Sequence, residues 1–185
     1  MARRKQAGVS PLLKFFVLSG RLKSEPRRGW VKKLGLGDAE SVADHSYRTA
    51  LMTMVFSDSR KLDTERALRL ALLHDLPEAL AGDAMPEERS GSSKVALETS
   101  AMKELLNDLP HPIRSLYQEA WEEFVEGKTE EAKLVRQLDK LEMAIQAWEY
   151  SKRLDDPASV GEFFATAYGQ VSDAELRDLL RQVEV

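Results

Sequence analysis

The chain has 185 residues, 43% of them hydrophobic and none of them cysteine, so it can bury one sizeable core without disulfides, thiolate catalysis or a zinc ribbon. A formal net charge of -4 gives no footprint for nucleic acid, and the basic cluster Arg3-Arg4-Lys5 is short. No apolar run approaches the roughly 20 residues needed to span a bilayer, and no signal-peptide core follows the N-terminal charges, so a single soluble, cytoplasmic domain over residues 1–185 is expected.

Helical signals recur along the chain and period-two alternation does not, which predicts an all-α fold. A first helix runs from Pro11 to Ser19 and ends at Gly20, followed by a loop from Lys23 to Asp38 rich in Arg, Pro and Gly. Ser41 can cap the next helix, which carries His45, and Asp63 or Thr64 opens another. Its nearly all-apolar run Ala67 to Leu73 belongs in the core and delivers His74-Asp75 at its end, where Pro77 enforces a kink or stop. Ala79 to Ser93 reads as a loop, and its length is that of a functional one. Further helices are predicted from Lys94 to Asn107 and from Pro112 to Phe124, the second ended by Gly127. Thr129 caps a long helix to about Arg153, with Leu134, Leu138, Leu141, Ile145 and Trp148 as its apolar stripe. Asp139, Glu142 and Gln146 lie on the adjoining stripe, at the edge of the buried face. Ser172-x-x-Glu175 is a capping box for a final short helix.

The residues that could carry chemistry are His45, His74-Asp75 and Asp139, on three separated helical segments. Imidazoles and carboxylates together suit a divalent transition metal, and an ion with open positions suits phosphate-ester hydrolysis. Each has a plainer reading: His45 as a core-edge histidine, His74-Asp75 as a mutually satisfied pair, Asp139 as a solvated helix carboxylate. Against the plainer reading of the pair, the apolar run before His74 puts two polar side chains at the core edge, costly unless paired or metal-bound. His111, between two prolines, reads as structural. Leu51, Met52, Met54, Val55 and Phe56 read as core, and Phe163, Phe164 and Tyr168 as packing on the core or in a dimer.

Several segments carry a resemblance: Glu40-Ser41-Val42-Ala43-Asp44-His45-Ser46, Leu70-Ala71-Leu72-Leu73-His74-Asp75-Leu76-Pro77-Glu78, Gly82-Asp83 and Gln137-Leu138-Asp139-Lys140-Leu141-Glu142. Together they resemble the HD-domain metal-dependent phosphohydrolases. With Pro26-Arg27-Arg28-Gly29-Trp30-Val31, Ala132-Lys133, Trp121-Glu122-Glu123 and Glu149-Tyr150, the chain resembles more narrowly the small 5′-deoxynucleotidase branch. The match covers about residues 12–151, and a helical extension of about 157–185 lies beyond it.

That resemblance implies an HD-domain helical bundle in which His45, His74, Asp75 and Asp139 ligate one divalent ion, with cobalt, manganese or magnesium as plausible occupants. Glu78, one turn beyond His74, is implied to hold or deprotonate the attacking water. Asp83 is implied to transfer a proton, to the leaving 5′-oxygen, and the two roles are interchangeable between Glu78 and Asp83. Arg27 or Arg28 would bind phosphate and Trp30 would pack on the sugar or base. Related bacterial enzymes place Arg directly next to Trp; here Gly29 intervenes, so both arginines stay open. The implied reaction is hydrolysis of a (deoxy)nucleoside 5′-monophosphate, a small-molecule substrate, by a homodimer without nucleic-acid or membrane partners. The rivals are another HD phosphohydrolase, acting on a cyclic nucleotide, nucleoside triphosphate or alarmone, and a non-catalytic metal-stabilised binding module.

Overall fold

The computed structural model describes residues 10–83 and 91–184. Ser10 accepts a hydrogen bond from the Leu13 amide and Pro11 occupies the first turn, so α1 (Pro11–Ser19) begins where the sequence places it. A short helix not anticipated, α2 (Arg28–Leu34), lies inside the expected Lys23–Asp38 loop. Ser41 and Asp44 form a reciprocal capping box at the start of α3 (Val42–Arg60), and Asp63 caps α4 (Thr64–Leu73). The turn that follows α4 carries His74-Asp75 and ends at Pro77, from which the single-turn α5 (Glu78–Ala81) starts.

The expected Ala79–Ser93 loop is therefore helical at its start, and α6 (Gly91–Leu106) begins before its end; residues 84–90 lie outside the described residues. Gly127, in the left-handed region at φ 64°, ends α7 (His111–Glu126), and Thr129 caps α8 (Glu130–Ser151). The tail folds into α9 (Gly161–Gln170) and α10 (Ala174–Gln182). The cap of α10 is Asp173 rather than Ser172, because the Ser172 amide and hydroxyl both donate to Gln137.

Among the described residues there is no strand, only an isolated antiparallel bridge between Pro26 and Ser41, and no helix is long and apolar enough to cross a membrane. The fold is all-α. Helix α8 is its axis, in contact with α3, α4, α7, α9 and α10, so it is buried on more than the predicted stripe. Leu134, Leu138 and Leu141 are buried as expected, but so are Val135, Asp139, Glu142, Ala144 and Ala147, while Ile145 and Trp148 are half-buried. Two apolar clusters flank it. One joins Phe15, Leu70, Leu73, Met102, Leu105 and Trp121; the other joins Trp30, Leu138, Leu141, Phe163, Phe164 and Leu176. Phe163 and Phe164 thus pack on the core. On α3 the expected core set divides: Met52 and Phe56 are half-buried, whereas Leu51, Met54 and Val55 face solvent. His111 is exposed at the start of α7.

Candidate active site

Three elements converge on one point. His45 comes from the second turn of α3, His74 and Asp75 from the turn after α4, and Asp139 from the middle of α8. His45 Nε2 lies 3.3 Å from His74 Nε2, 3.3 Å from Asp139 Oδ1 and 3.6 Å from Asp75 Oδ2. His74 Nε2 is 3.1 Å from the same Asp75 oxygen.

The protons explain the cluster. His74 Nδ1 sits 2.6 Å from the Ala71 carbonyl, which only accepts, so that nitrogen donates and Nε2 of the neutral ring is left with its lone pair. His45 Nδ1 is in a short hydrogen bond to Glu142 Oε2, which assigns it the same tautomer. Two nitrogen lone pairs and two carboxylates then face one another without a hydrogen between them. Such a set of acceptors needs a cation, and an imidazole–carboxylate set fits a divalent transition metal. Without one, the cluster holds a proton instead. Burial and the Arg27 charge work against it, but Glu142 and the hydrogen bonds to Asp139 and Glu142 push His45 up to about 9. His45, His74 and Asp139 also offer donor atoms within 4.8 Å of one another.

Charge around the cluster is balanced by side chains from the rim. Arg27 Nη1 is 3.0 Å from Asp75 Oδ2, and Lys140 Nζ is 2.9 Å from Asp139 Oδ2. Burial opposes ionisation of both aspartates. It is outweighed at Asp75 by His74, Arg27 and His45, and at Asp139 by Lys140 and the two histidines, so both stay below the usual carboxylate range. Glu78 is the opposite case. It is buried, its Oε2 has no hydrogen-bond partner among the described residues, and burial together with Asp75 and Asp83 pushes its carboxyl well above the usual range.

Asp83 is held as a clasp. Gly82, at φ 72°, turns the chain in a conformation that other residues rarely adopt. The Asp83 amide then donates to Glu25 Oε1 at 3.2 Å, and Asp83 Oδ2 accepts the Arg28 amide at 2.7 Å, capping α2 from outside that helix.

These groups line a cavity of about 410 Å³. Arg27, His74, Asp75, Glu78, Asp83 and Asp139 form its polar end, while Gly29, Met143, Phe163 and Thr166 extend it toward α9. His45 lies fully buried behind the polar end. Arg28 does not line the cavity, and its Nη1 donates to the Asp83 carbonyl. Trp30 borders the cavity but is only 2% exposed. Its ring packs on Phe163 and Tyr150, at centroid distances of 4.0 and 5.2 Å, and its Nε1 donates to Glu40.

Glu142, Lys140 and the α9 wall are parts of the site to which the sequence assigns no role, although Glu142 lies on the Asp139 stripe and Lys140 is a nearby positive charge. For Glu142 a signal existed: it lies three residues after Asp139, as Arg48 does after His45, so both pairs share helix faces. Glu40, His45 and Glu142 also bring donor atoms within 4.8 Å. They do not suit a second ion, because Glu142 already takes His45 Nδ1 and Arg48, and Glu40 already takes Trp30.

The fold is thus a helical bundle that brings two histidines and two aspartates from three segments to one point. A family profile described as HD domain matches residues 19–179, and the chain belongs to that family. A mouse (Mus musculus) protein named 5′-deoxynucleotidase HDDC2 is 39% identical over 185 residues, covering 100% of this chain and 92% of the mouse protein. A Schizosaccharomyces pombe protein named 5′-deoxynucleotidase hdd1 is 34% identical over 157 residues, 82% of this chain and 78% of its own length. A solved structure, a conserved hypothetical protein from Pyrococcus furiosus, is similar at a TM-score of 0.76 and 32% identity, covering 92% of this chain and 98% of that one.

Proposed function

We propose that this chain is a metal-dependent 5′-deoxynucleotidase, hydrolysing (deoxy)nucleoside 5′-monophosphates to nucleoside and phosphate. The observation that carries the reading is a juxtaposition: four acceptors that need a cation lie at or just behind one end of the 410 Å³ cavity, together with the Arg27 guanidinium and a buried Glu78 with one unpartnered oxygen. That volume lies within the roughly 300–1,000 Å³ of small-molecule sites. The names of the mouse and fission-yeast relatives point the same way.

His45, His74, Asp75 and Asp139 would hold the ion. When bound, a divalent ion of this kind, cobalt, manganese or magnesium, polarises a phosphoryl oxygen and acidifies water. Arg27 has donors to spare after its bond to Asp75 and lines the cavity, which favours it over Arg28 as the phosphate ligand. Glu78, raised in proton affinity, takes the proton of the water that attacks phosphorus. As the bond from phosphorus to the 5′-oxygen breaks, that oxygen gains a proton, for which Asp83 is the second carboxylate at hand. Trp30 acts through Phe163, keeping the wall beside the sugar and base in place.

The same reading takes the chain as one domain, supported by α9 and α10 packing on α8. A reducing cytoplasm suits a chain without cysteine, and a homodimer suits the exposed apolar residues of α1 and α3, such as Phe16, Val17, Leu51 and Val55. A non-catalytic binding module is disfavoured by Glu78, since leaving a buried carboxyl oxygen unpaired is a cost that a scaffold does not need.

The test is phosphate release from deoxy- and ribonucleoside 5′-monophosphates by metal-stripped protein resupplied with cobalt, manganese or magnesium. Metal-dependent release from deoxynucleotides, lost in Asp139→Ala, is the expected result. Bound metal with no release from any monophosphate would sink the nucleotidase reading, and product analysis on cyclic nucleotides and triphosphates would then decide among other phosphoesters.

A further inference from the structure

Behind the donor cluster, on the side away from the cavity, lies a group of charged residues that the proposed chemistry does not use. Glu142 is fully buried. One of its carboxylate oxygens takes His45 Nδ1, and the other takes Arg48 Nε at 2.8 Å. Arg48 is itself fixed at its remaining nitrogens, by Glu149 at 2.8 Å and Gln146 at 2.5 Å. Burying a lone carboxylate is costly, and a guanidinium held in place on three sides makes it tolerable.

His74 offers the internal contrast, because its Nδ1 donates to a backbone carbonyl, a neutral acceptor. Only His45 is backed by an ionised side chain. An anion behind an imidazole fixes the ring and strengthens its outward nitrogen as a ligand. We infer that Glu142, with Arg48 holding it, is a positioning residue that aims His45 Nε2 at the ion and sets the strength of that bond. The inference rests on the metal-centre reading of the donor cluster.

Cobalt titration of the full-length, metal-stripped chain against a chromophoric chelator tests it, with the absorption spectrum of bound cobalt as a second readout. Glu142→Gln keeps an acceptor for His45 but removes the charge. The expected result is a Kd raised about 10- to 100-fold with an altered cobalt spectrum and an unchanged helical circular dichroism signal. Arg48→Met, which frees Glu142 to move, should shift Kd in the same direction by less. If the unaltered chain binds cobalt and Glu142→Gln binds it with the same Kd and spectrum, the proposal is overturned while the metal centre stands. If Glu142→Gln does not fold, Arg48→Met decides, and an unshifted Kd in that variant overturns the proposal. An unaltered chain that binds no cobalt overturns the metal-centre reading itself, and this inference with it.

Discussion

The back and the front of the site are built on opposite rules. At the back, the charged groups are saturated: the Glu142 carboxylate takes His45 Nδ1 and Arg48 Nε, and Arg48 is held in turn by Gln146 and Glu149. At the front, Glu78 is buried as Glu142 is, yet one of its oxygens has no partner among the described residues. A saturated network fixes geometry, whereas an unsatisfied carboxyl is ready to exchange a proton. Glu142 is tied down, and Glu78 is left open.

Breaking the back should cost most. His45→Ala removes a donor and leaves one oxygen of the buried Glu142 without its partner, so it should abolish metal-dependent turnover and cost about 1–3 kcal/mol of stability. His74→Ala, whose orienting partner is a backbone carbonyl, should abolish turnover with a smaller loss; paired urea melts of the metal-free variants check the difference. Breaking the front should do the reverse. Glu78→Gln should lower kcat by about 10²- to 10⁴-fold while leaving cobalt Kd and thermal midpoint nearly unchanged. A large fall in midpoint would mean that Glu78 is structural.

Removing the ion sharpens the comparison further. A chelator should lower the thermal midpoint, because an ion at 100 times its Kd contributes about 2.7 kcal/mol to the folded state. In the ion-free chain, His45 at about 9 lies above its ordinary 6.5. Its protonated form therefore stabilises the fold fully below pH 6.5, and that contribution is lost as pH rises through about 9. The ion needs the same nitrogen unprotonated, so cobalt affinity should rise over this interval; a flat profile by calorimetry would contradict the assignment. The smallest effects belong to the rim. Arg27→Ala should raise KM about 10- to 100-fold, the worth of a charged hydrogen bond. Arg28→Ala keeps the amide that Asp83 holds, and its KM should change about threefold or less.

The helices of the site are largely legible because their signals are local, whereas the pairing of Glu142 with Arg48 behind His45 joins residues 94 positions apart and is not. Ser41, Asp63 and Thr129 cap the helices from within their own segments, and the apolar run before His74 declares its burial. Helix α2 was not legible, since its first amide is capped by Asp83, 55 residues away. Trp30 reads as a substrate platform beside two arginines, but its partners Phe163, Tyr150 and Glu40 come from distant segments and bury it. Helix α9 has no side-chain cap and contains Gly161 and Gly169, so its propensity is weak and its packing on α8 decides. Between Arg27 and Arg28, only three-dimensional placement discriminates, because the two are chemically identical neighbours.

The helix that supplies Asp139 and Glu142 comes late in the chain, and 97 residues separate His45 from Glu142. During synthesis, α3 and α4 emerge together and can pair as they do in the finished fold. Their imidazoles then have no Asp139 to complete the acceptor set and no Glu142 to orient His45. A ribosome-bound chain that stops short of α8 therefore has no competent ion site, and loading must wait until the last third of the protein is made.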